Sequence, residues 1–283
     1  MTAAAAAAAA LGLALTAAIV GLAALAWSAR RLRAEVDRHR TALARSVERL
    51  GHIEQSFQRF APLDVVEQFA QGSSAAEPAH RNVTIMFADL KGFTPLSERI
   101  PPAEMVEMLN GYFRAMNGAL VAHHGHLSRL MGDGLMALFG ALENNPWQTA
   151  DAVKAALAMR EALAAYNAEI AKRGLAKLEF GIGIHTGDVV AGVMGSDRFM
   201  EFTVIGDPVN LAARVEALTR VHNVDILVTE AVQKTLDARF VTRAMPPMAV
   251  KGKTEPVATF AIESFDPKRG RPKTGEAPAG VSG

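Results

Sequence analysis

The sequence predicts an α+β domain built on a mixed sheet, and three observations carry that reading. Short apolar runs of strand length alternate, along residues 80–262, with longer segments whose apolar residues recur every three or four positions. The runs come in pairs flanked by helices rather than singly. Two of them, HLSRLM and LMALF, are joined through Gly132, Asp133 and Gly134, which is hairpin chemistry.

Ahead of that domain, residues 3–27 carry no charge and read AAAAAAAALGLALTAAIVGLAALAW. As a helix rising about 1.5 Å per residue they reach across a roughly 30 Å hydrocarbon core, so residues 1–28 are expected to form a membrane anchor. Its firmest part runs from Leu11 to Trp27, because the alanine-rich start is only weakly hydrophobic. Arg30, Arg31, Arg33, Arg38 and Arg40 follow directly. The positive-inside tendency then predicts a single-pass protein of the inner or plasma membrane, with everything after residue 28 cytoplasmic.

Residues 29–79 read as a helical linker. Leu32, Val36, Leu43, Val47, Leu50, Ile53, Phe57 and Phe60 recur at mostly three- and four-residue steps among Arg and Glu. One adhesive helix face results, suited to pairing with a copy of itself as a short coiled coil or to packing back on its own domain. Pro62 and the stretch GSSAAEPAH (72–80) then punctuate the chain.

Within the domain, Val83 to Ala88 reads as a buried strand. Pro101 and Pro102 open a helix whose Met105, Leu109, Phe113, Met116 and Leu120 share a face, and Gly125 ends it. The hairpin strands His126 to Met131 and Leu135 to Phe139 follow, then an alanine-rich helix from Pro146 to Lys172. Strands are expected at Leu178 to His185 and Val189 to Met194, and a helix at Pro208 to Thr219. Further strands are expected at Ile226 to Thr229, Ala249 to Lys251 and Thr259 to Ile262. The tail from 266 to 283, rich in Pro, Gly and charge, is expected to be disordered.

Half of the 283 residues are apolar, enough for a real core, and the formal charge of +1 supplies no basic face for a nucleic-acid partner. The absence of cysteine excludes disulfides and thiolate chemistry.

The chemistry concentrates at two aspartates. Asp89, in VTIMFADLKGFT, and Asp133, in HLSRLMGDGLMALFG, each end an apolar run beside glycine. That setting puts a carboxylate at the rim of a sheet, next to free backbone amides. A pair of carboxylates suits a hard cation such as Mg2+, whose other ligands are waters and substrate phosphates. Without a cation the two repel, which raises one pKa. By contrast His123, His124 and His126 lie at a helix end that disfavours a zinc site. Gly181, Gly183 and Gly187 lack the dinucleotide-binding spacing.

Five motifs in order, FADLKGFT, MGDGLMALFG, GIGIHTGDVVAGVMG, FTVIGDPVNLAARVE and VKGK, resemble the class III nucleotidyl cyclases. The resemblance spans residues 80–262 and is nearest the bacterial subgroup with threonine in the TVIGD segment. It implies a ferredoxin-like palm over residues 80–265 that works as a head-to-tail homodimer, making 3′,5′-cyclic AMP and pyrophosphate from ATP for intracellular signalling. Asp89, Asp133 and the Leu90 carbonyl would hold two Mg2+ or Mn2+ ions. Gly92, Phe93 and Thr94 would meet phosphate oxygens through their amides, Asn210 would orient the ribose, Arg214 would stabilise charge at the α-phosphate, and Lys251 would contact the terminal phosphates. Metal residues and the Asn210–Arg214 pair would come from different subunits.

Base choice rests on two further positions. Adenylyl members usually carry lysine four residues before the second metal aspartate; here stands Arg129, preceded by Ser128. Its planar fork can donate to adenine N1 or to guanine O6 and N7. Thr203, at the second base-reading position, favours ATP over GTP. The alternatives are a guanylate or relaxed-specificity cyclase, and a regulatory pseudocyclase that binds nucleotide or a partner without turnover.

Overall fold

The computed structural model describes residues 3–57, 78–196, 199–251 and 255–269. It divides into two compact units at Pro62. The first is one helix, α1 (Ala3–Phe57). Along it Leu32, Val36, Leu43, Val47 and Leu50 are exposed. The side chains of Ile53 and Phe57, and all of Phe60, Pro62 and the rest of the expected boundary at 58–77, lie outside the described residues, as does the tail from 270.

Among the described residues no helix is long and apolar enough to cross a membrane. This corrects the expected anchor over residues 3–27, and with it the single-pass inner-membrane localisation and the membrane as a partner. The physical reason lies in alanine. Its one methyl group removes little apolar surface from water, and the more strongly apolar stretch, Leu11 to Trp27, falls short of the roughly 20 residues that a span needs.

The second unit is an α+β palm. Its elements are β1 (Ala79–Leu90), α2 (Phe93–Ser97), α3 (Pro102–Val121), β2 (His126–Met131), β3 (Gly134–Phe139), α4 (Gln148–Ala171), β4 (Phe180–Ser196), β5 (Phe199–Ile205), α5 (Asp207–His222), β6 (Ile226–Thr229), α6 (Glu230–Gln233), β7 (Phe240–Ala244) and β8 (Thr259–Phe265). Among the described residues eight strands form one sheet in the order β2-β3-β1-β4-β6-β8-β7, with β5 paired to β4 off that path. The first four strands with α3 and α4 make the βαββαβ ferredoxin-like arrangement, β1 lying central and antiparallel to both β3 and β4. β4 and β6 are parallel, so the sheet is mixed.

Both faces of the sheet are covered, which is why its strands read as continuous apolar runs. Met86, Ala88 and Leu90 of β1, with Ile182 and Ile184 of β4, face Met108, Tyr112 and Met116 of α3 and Ala152, Ala156 and Met159 of α4. On the other face, Val83, Ile85, Met136 and Leu138 meet Phe202 and Val204 of β5 and Ala212 of α5.

In β4 the period is explicit. Isoleucines 182 and 184 point to the helices, while Gly181 and Gly183 lie under α5. A Cβ at 183 would fall 2.1 Å from the Glu216 backbone nitrogen, and one at 181 would fall 2.0 Å from Thr219 Oγ1. Those glycines let α5 lie directly on the sheet.

Several boundaries differ from expectation. The two strands expected at 178–185 and 189–194 are one continuous strand, because Gly187 pairs with Val83 without interrupting the ladder. α5 runs on to His222 and stops at Asn223 in the left-handed conformation, which carries Arg220 into the helix. The strand expected at 249–251 reduces to an isolated bridge between Met248 and Val257. β5 and β7 were not anticipated as strands; β5 is held through its pairing with β4, and β7 through its pairing with β8.

Candidate active site

β1 delivers Asp89, its penultimate residue, to the end of the sheet, and the β2–β3 turn delivers Asp133. The register sets Ala88 opposite Leu135 and brings Asp89 alongside Gly134. A Cβ at 134 would fall 2.8 Å from Asp89 Oδ1, so the missing side chain is what admits the carboxylate. Gly132 turns the hairpin with φ of 67°. Burial raises the pKa of Asp133, and the charge of Asp89 raises it further. The two carboxylates therefore lie close enough to act on each other.

Around the pair lie residues that the sequence reading missed. Arg220 of α5 donates from Nη2 to Asp89 Oδ2 and, at 3.4 Å, to the carbonyl oxygen of Leu90. Its Nη1 donates at 2.9 Å to Glu216 Oε1. Glu216 is buried; desolvation pushes its pKa up to about 7, with Arg220 opposing and Asp89 reinforcing the shift. Tyr112 of α3 is fully buried, its hydroxyl has no hydrogen-bond partner, and burial followed by the charges of Asp89 and Asp133 drives its pKa upward. Two signals could have found this shell. The alternating glycines of GIGI mark a helix lying on the strand that pairs with β1, and Glu216 and Arg220 stand four apart on that helix.

Two carboxylates and a main-chain carbonyl, already neutralised in part by a guanidinium, form an all-oxygen anionic donor set. That chemistry fits Mg2+ or Mn2+, which take one or two carboxylates and complete their shell with waters and phosphates. Among the described residues no cluster of three His, Cys, Asp or Glu exists to hold a metal by protein ligands alone. Of the histidines at 123–126, His124 approaches Asp151 at 3.3 Å.

The remaining expected site residues fall into other groups. Gly92, Phe93 and Thr94 form the turn from β1 into α2, with Gly92 in the left-handed conformation. Asn210 is exposed and Arg214 half-buried on α5. They share a stripe that lies about 120° round the helix from Glu216 and Arg220, at roughly 100° per residue. One nitrogen of Arg214, Nη1, is buried without a hydrogen-bond partner.

Arg129 on β2 donates from Nε and Nη2 to both carboxylate oxygens of Glu201 on β5, at 2.8 and 2.5 Å. Thr203, two residues further along β5, is buried. Lys251 is exposed in a turn after the buried Val250, and Gly252 and Lys253 of the VKGK motif lie outside the described residues. Among the described residues no hydrogen bond or ion pair links Asp89 or Asp133 to Arg129, Thr203, Asn210, Arg214 or Lys251.

Residues 75–264 match the model of the adenylate and guanylate cyclase catalytic domain. The chain is similar to an adenylate cyclase of Anabaena cylindrica, with 35% identity over 247 residues that cover 82% of this chain and 48% of that protein. It thus spans about half the length, or less, of the curated relatives it matches. Among solved structures it resembles the guanylyl cyclase Cya2, at 33% identity and a TM-score of 0.62 over 68% of this chain and 96% of that one. It also resembles the adenylyl cyclase CyaB from P. aeruginosa, at 28% identity and a TM-score of 0.63 over 69% and 100% of the two chains.

Proposed function

The chain belongs to the adenylate and guanylate cyclase catalytic-domain family, and from that premise we propose that it is a homodimeric adenylate cyclase of the threonine-type bacterial subgroup, with ATP as substrate. The observation that carries the reading is the convergence of Asp89 and Asp133 at one end of the sheet, beside the Leu90 carbonyl. The reaction is an internal displacement. The ribose 3′-oxygen bonds to the α-phosphorus, the bond to the bridging oxygen of the β-phosphate breaks, pyrophosphate leaves, and the 3′-hydroxyl proton passes to solvent.

Asp89, Asp133 and the Leu90 carbonyl would hold two divalent cations. When bound, these would acidify the 3′-hydroxyl and stabilise the charge of the triphosphate and of the leaving pyrophosphate. Arg214 would stabilise the charge that grows at the α-phosphate. Its place four residues after Asn210 on one exposed-to-half-buried stripe of α5 supports that role. Asn210, on the same stripe, would orient the ribose. The amides of residues 92–94 and the ammonium of Lys251 would meet phosphate oxygens. Arg129 and Thr203 would read the base.

The stripe bearing Asn210 and Arg214 points away from the one that carries Arg220 to Asp89. This supports a composite site in which each protomer lends the first pair to its partner's carboxylates. The exposed leucines and valines of α1 would assist pairing as a short coiled coil.

The test is the full chain with Mg2+ or Mn2+ and ATP or GTP, assayed for cyclic product beside Asp89→Ala and Arg214→Ala. Each variant alone should be inactive, and their mixture should recover part of the activity because the heterodimer keeps one intact site. No cyclic product from either nucleotide, with dimer verified, refutes the enzyme reading. Absence of rescue in a verified heterodimer refutes the shared site.

A further inference from the structure

Arg220 is not among the residues that the family resemblance assigns, yet it touches more of the cation site than any other side chain. Its Nη2 donates both to Asp89 Oδ2 and to the Leu90 carbonyl, two of the three groups proposed to hold metal. A divalent cation would be held by those same oxygens. A guanidinium nitrogen within hydrogen-bond reach of both occupies the same wedge of space, and its charge repels any cation brought beside it.

We propose that Arg220 is a built-in competitor for the cation site, a positioning residue whose guanidinium must withdraw from Asp89 and Leu90 before a divalent cation can bind there. The inference rests on the two-aspartate reading above.

Three features support the exchange. Arg220 and Asp89 are only partly covered, with side chains 39% and 35% exposed, so withdrawal needs no opening of the core. A second partner holds the arginine once it leaves, because Glu216 accepts from Nη1 one helical turn away and is itself mostly buried at 11% exposure. Glu216 is kept close to Asp89 by Gly181 and Gly183, which seat α5 on the strand paired with β1. The arrangement therefore has two carboxyl acceptors for one guanidinium, and only one of them belongs to the proposed metal site. Its consequence is a threshold. Asp89 and Asp133 do not face each other bare, and cation affinity without nucleotide is lower than two carboxylates would supply.

The experiment titrates the full-length protein with Mn2+ in the absence of nucleotide, following free Mn2+ by electron paramagnetic resonance, for wild type, Arg220→Gln, Arg220→Lys and Asp133→Asn. Melting curves in chelator and in Mn2+ accompany it. Arg220→Gln should bind Mn2+ roughly fivefold more tightly than wild type, the upper range for displacing a partly exposed ion pair. It should melt lower than wild type in chelator and gain more from added Mn2+. Arg220→Lys keeps the charge but cannot bridge Asp89 and Glu216 with one fork, so its affinity should fall between the two. It also serves if the glutamine variant fails to fold. Equal or weaker Mn2+ binding by both Arg220 variants, with binding still abolished in Asp133→Asn, overturns the proposal and leaves the metal site standing. Mn2+ binding untouched by Asp133→Asn overturns the metal reading, and this inference falls with it.

Discussion

Arg129 is clamped by Glu201 through two parallel hydrogen bonds that cross from β2 to β5. The clamp takes the Nε hydrogen and one Nη2 hydrogen and leaves three of the five donors, two on Nη1 and one on Nη2. The clamp fixes where those donors point, and a guanidinium held in one orientation can tell a single acceptor such as adenine N1 from the guanine O6 and N7 pair. Replacing Glu201 with alanine releases the guanidinium to turn and present either edge to guanine. The expected outcome is a rise of threefold or more in the ratio of cyclic GMP to cyclic AMP formed from equal nucleotides, measured by chromatography of the products. An unchanged ratio removes Glu201 from base selection.

Gly134 and Gly183 both forbid a side chain, but with opposite expected consequences. At 134 the added methyl meets the end of a carboxylate, 2.8 Å from Asp89 Oδ1, which can swing aside. Gly134→Ala should therefore lose at least tenfold in metal-dependent turnover, since small misplacements at a reacting centre are that costly. Its melting temperature should change by only a few degrees.

At 183 the methyl meets backbone, 2.1 Å from the nitrogen and 2.6 Å from the Cα of Glu216. Neither can move without lifting α5 off β4. Gly183→Ala should cost at least about 3 kcal/mol in stability by denaturant titration. A loss under about 1 kcal/mol would mean that the helix is not seated as described.

Glu216 supplies a pH dependence. Its pKa rises from the ordinary 4.5 to about 7, so the folded state favours the protonated acid. Its contribution to stability is fully present below about pH 4.5 and is lost as pH rises through about 7. Glu216→Gln lacks this loss. In chelator, its stability relative to wild type should improve between those two pH values, by on the order of 3 kcal/mol at most. A difference that stays flat with pH would refute the shift.

The α+β architecture was legible because buried strands and amphipathic helices write different periods. The βαββαβ order of the palm followed from β1, the β2–β3 hairpin and the two long helices around them. What failed did so for identifiable reasons. Gly187 looked like a break in a strand that continues through it. β5, FMEFTVI, has the apolar content of a strand, whereas β7, FVTRA, is short and partly polar; each is held by the edge that β4 or β8 offers it. The uncharged amino-terminal stretch suggested a membrane span on length, while its alanine content leaves no such span among the described residues.

At the site, the sequence by itself determined which carboxylates stand at the sheet's end: an acidic residue closing an apolar run beside glycine is a local pattern, and Asp89 and Asp133 each carry it. Which cation meets them first was decided only in three dimensions. Arg220 stands 131 positions from Asp89, and its local signal, Glu216 four residues before it, does not point to β1. Contact requires β1 and β4 to pair, Gly181 and Gly183 to give up their side chains, and α5 to run one turn past its expected end. Each of those conditions is a packing relation between distant segments, and an ion pair across them exists only once the core on both faces of the sheet has closed.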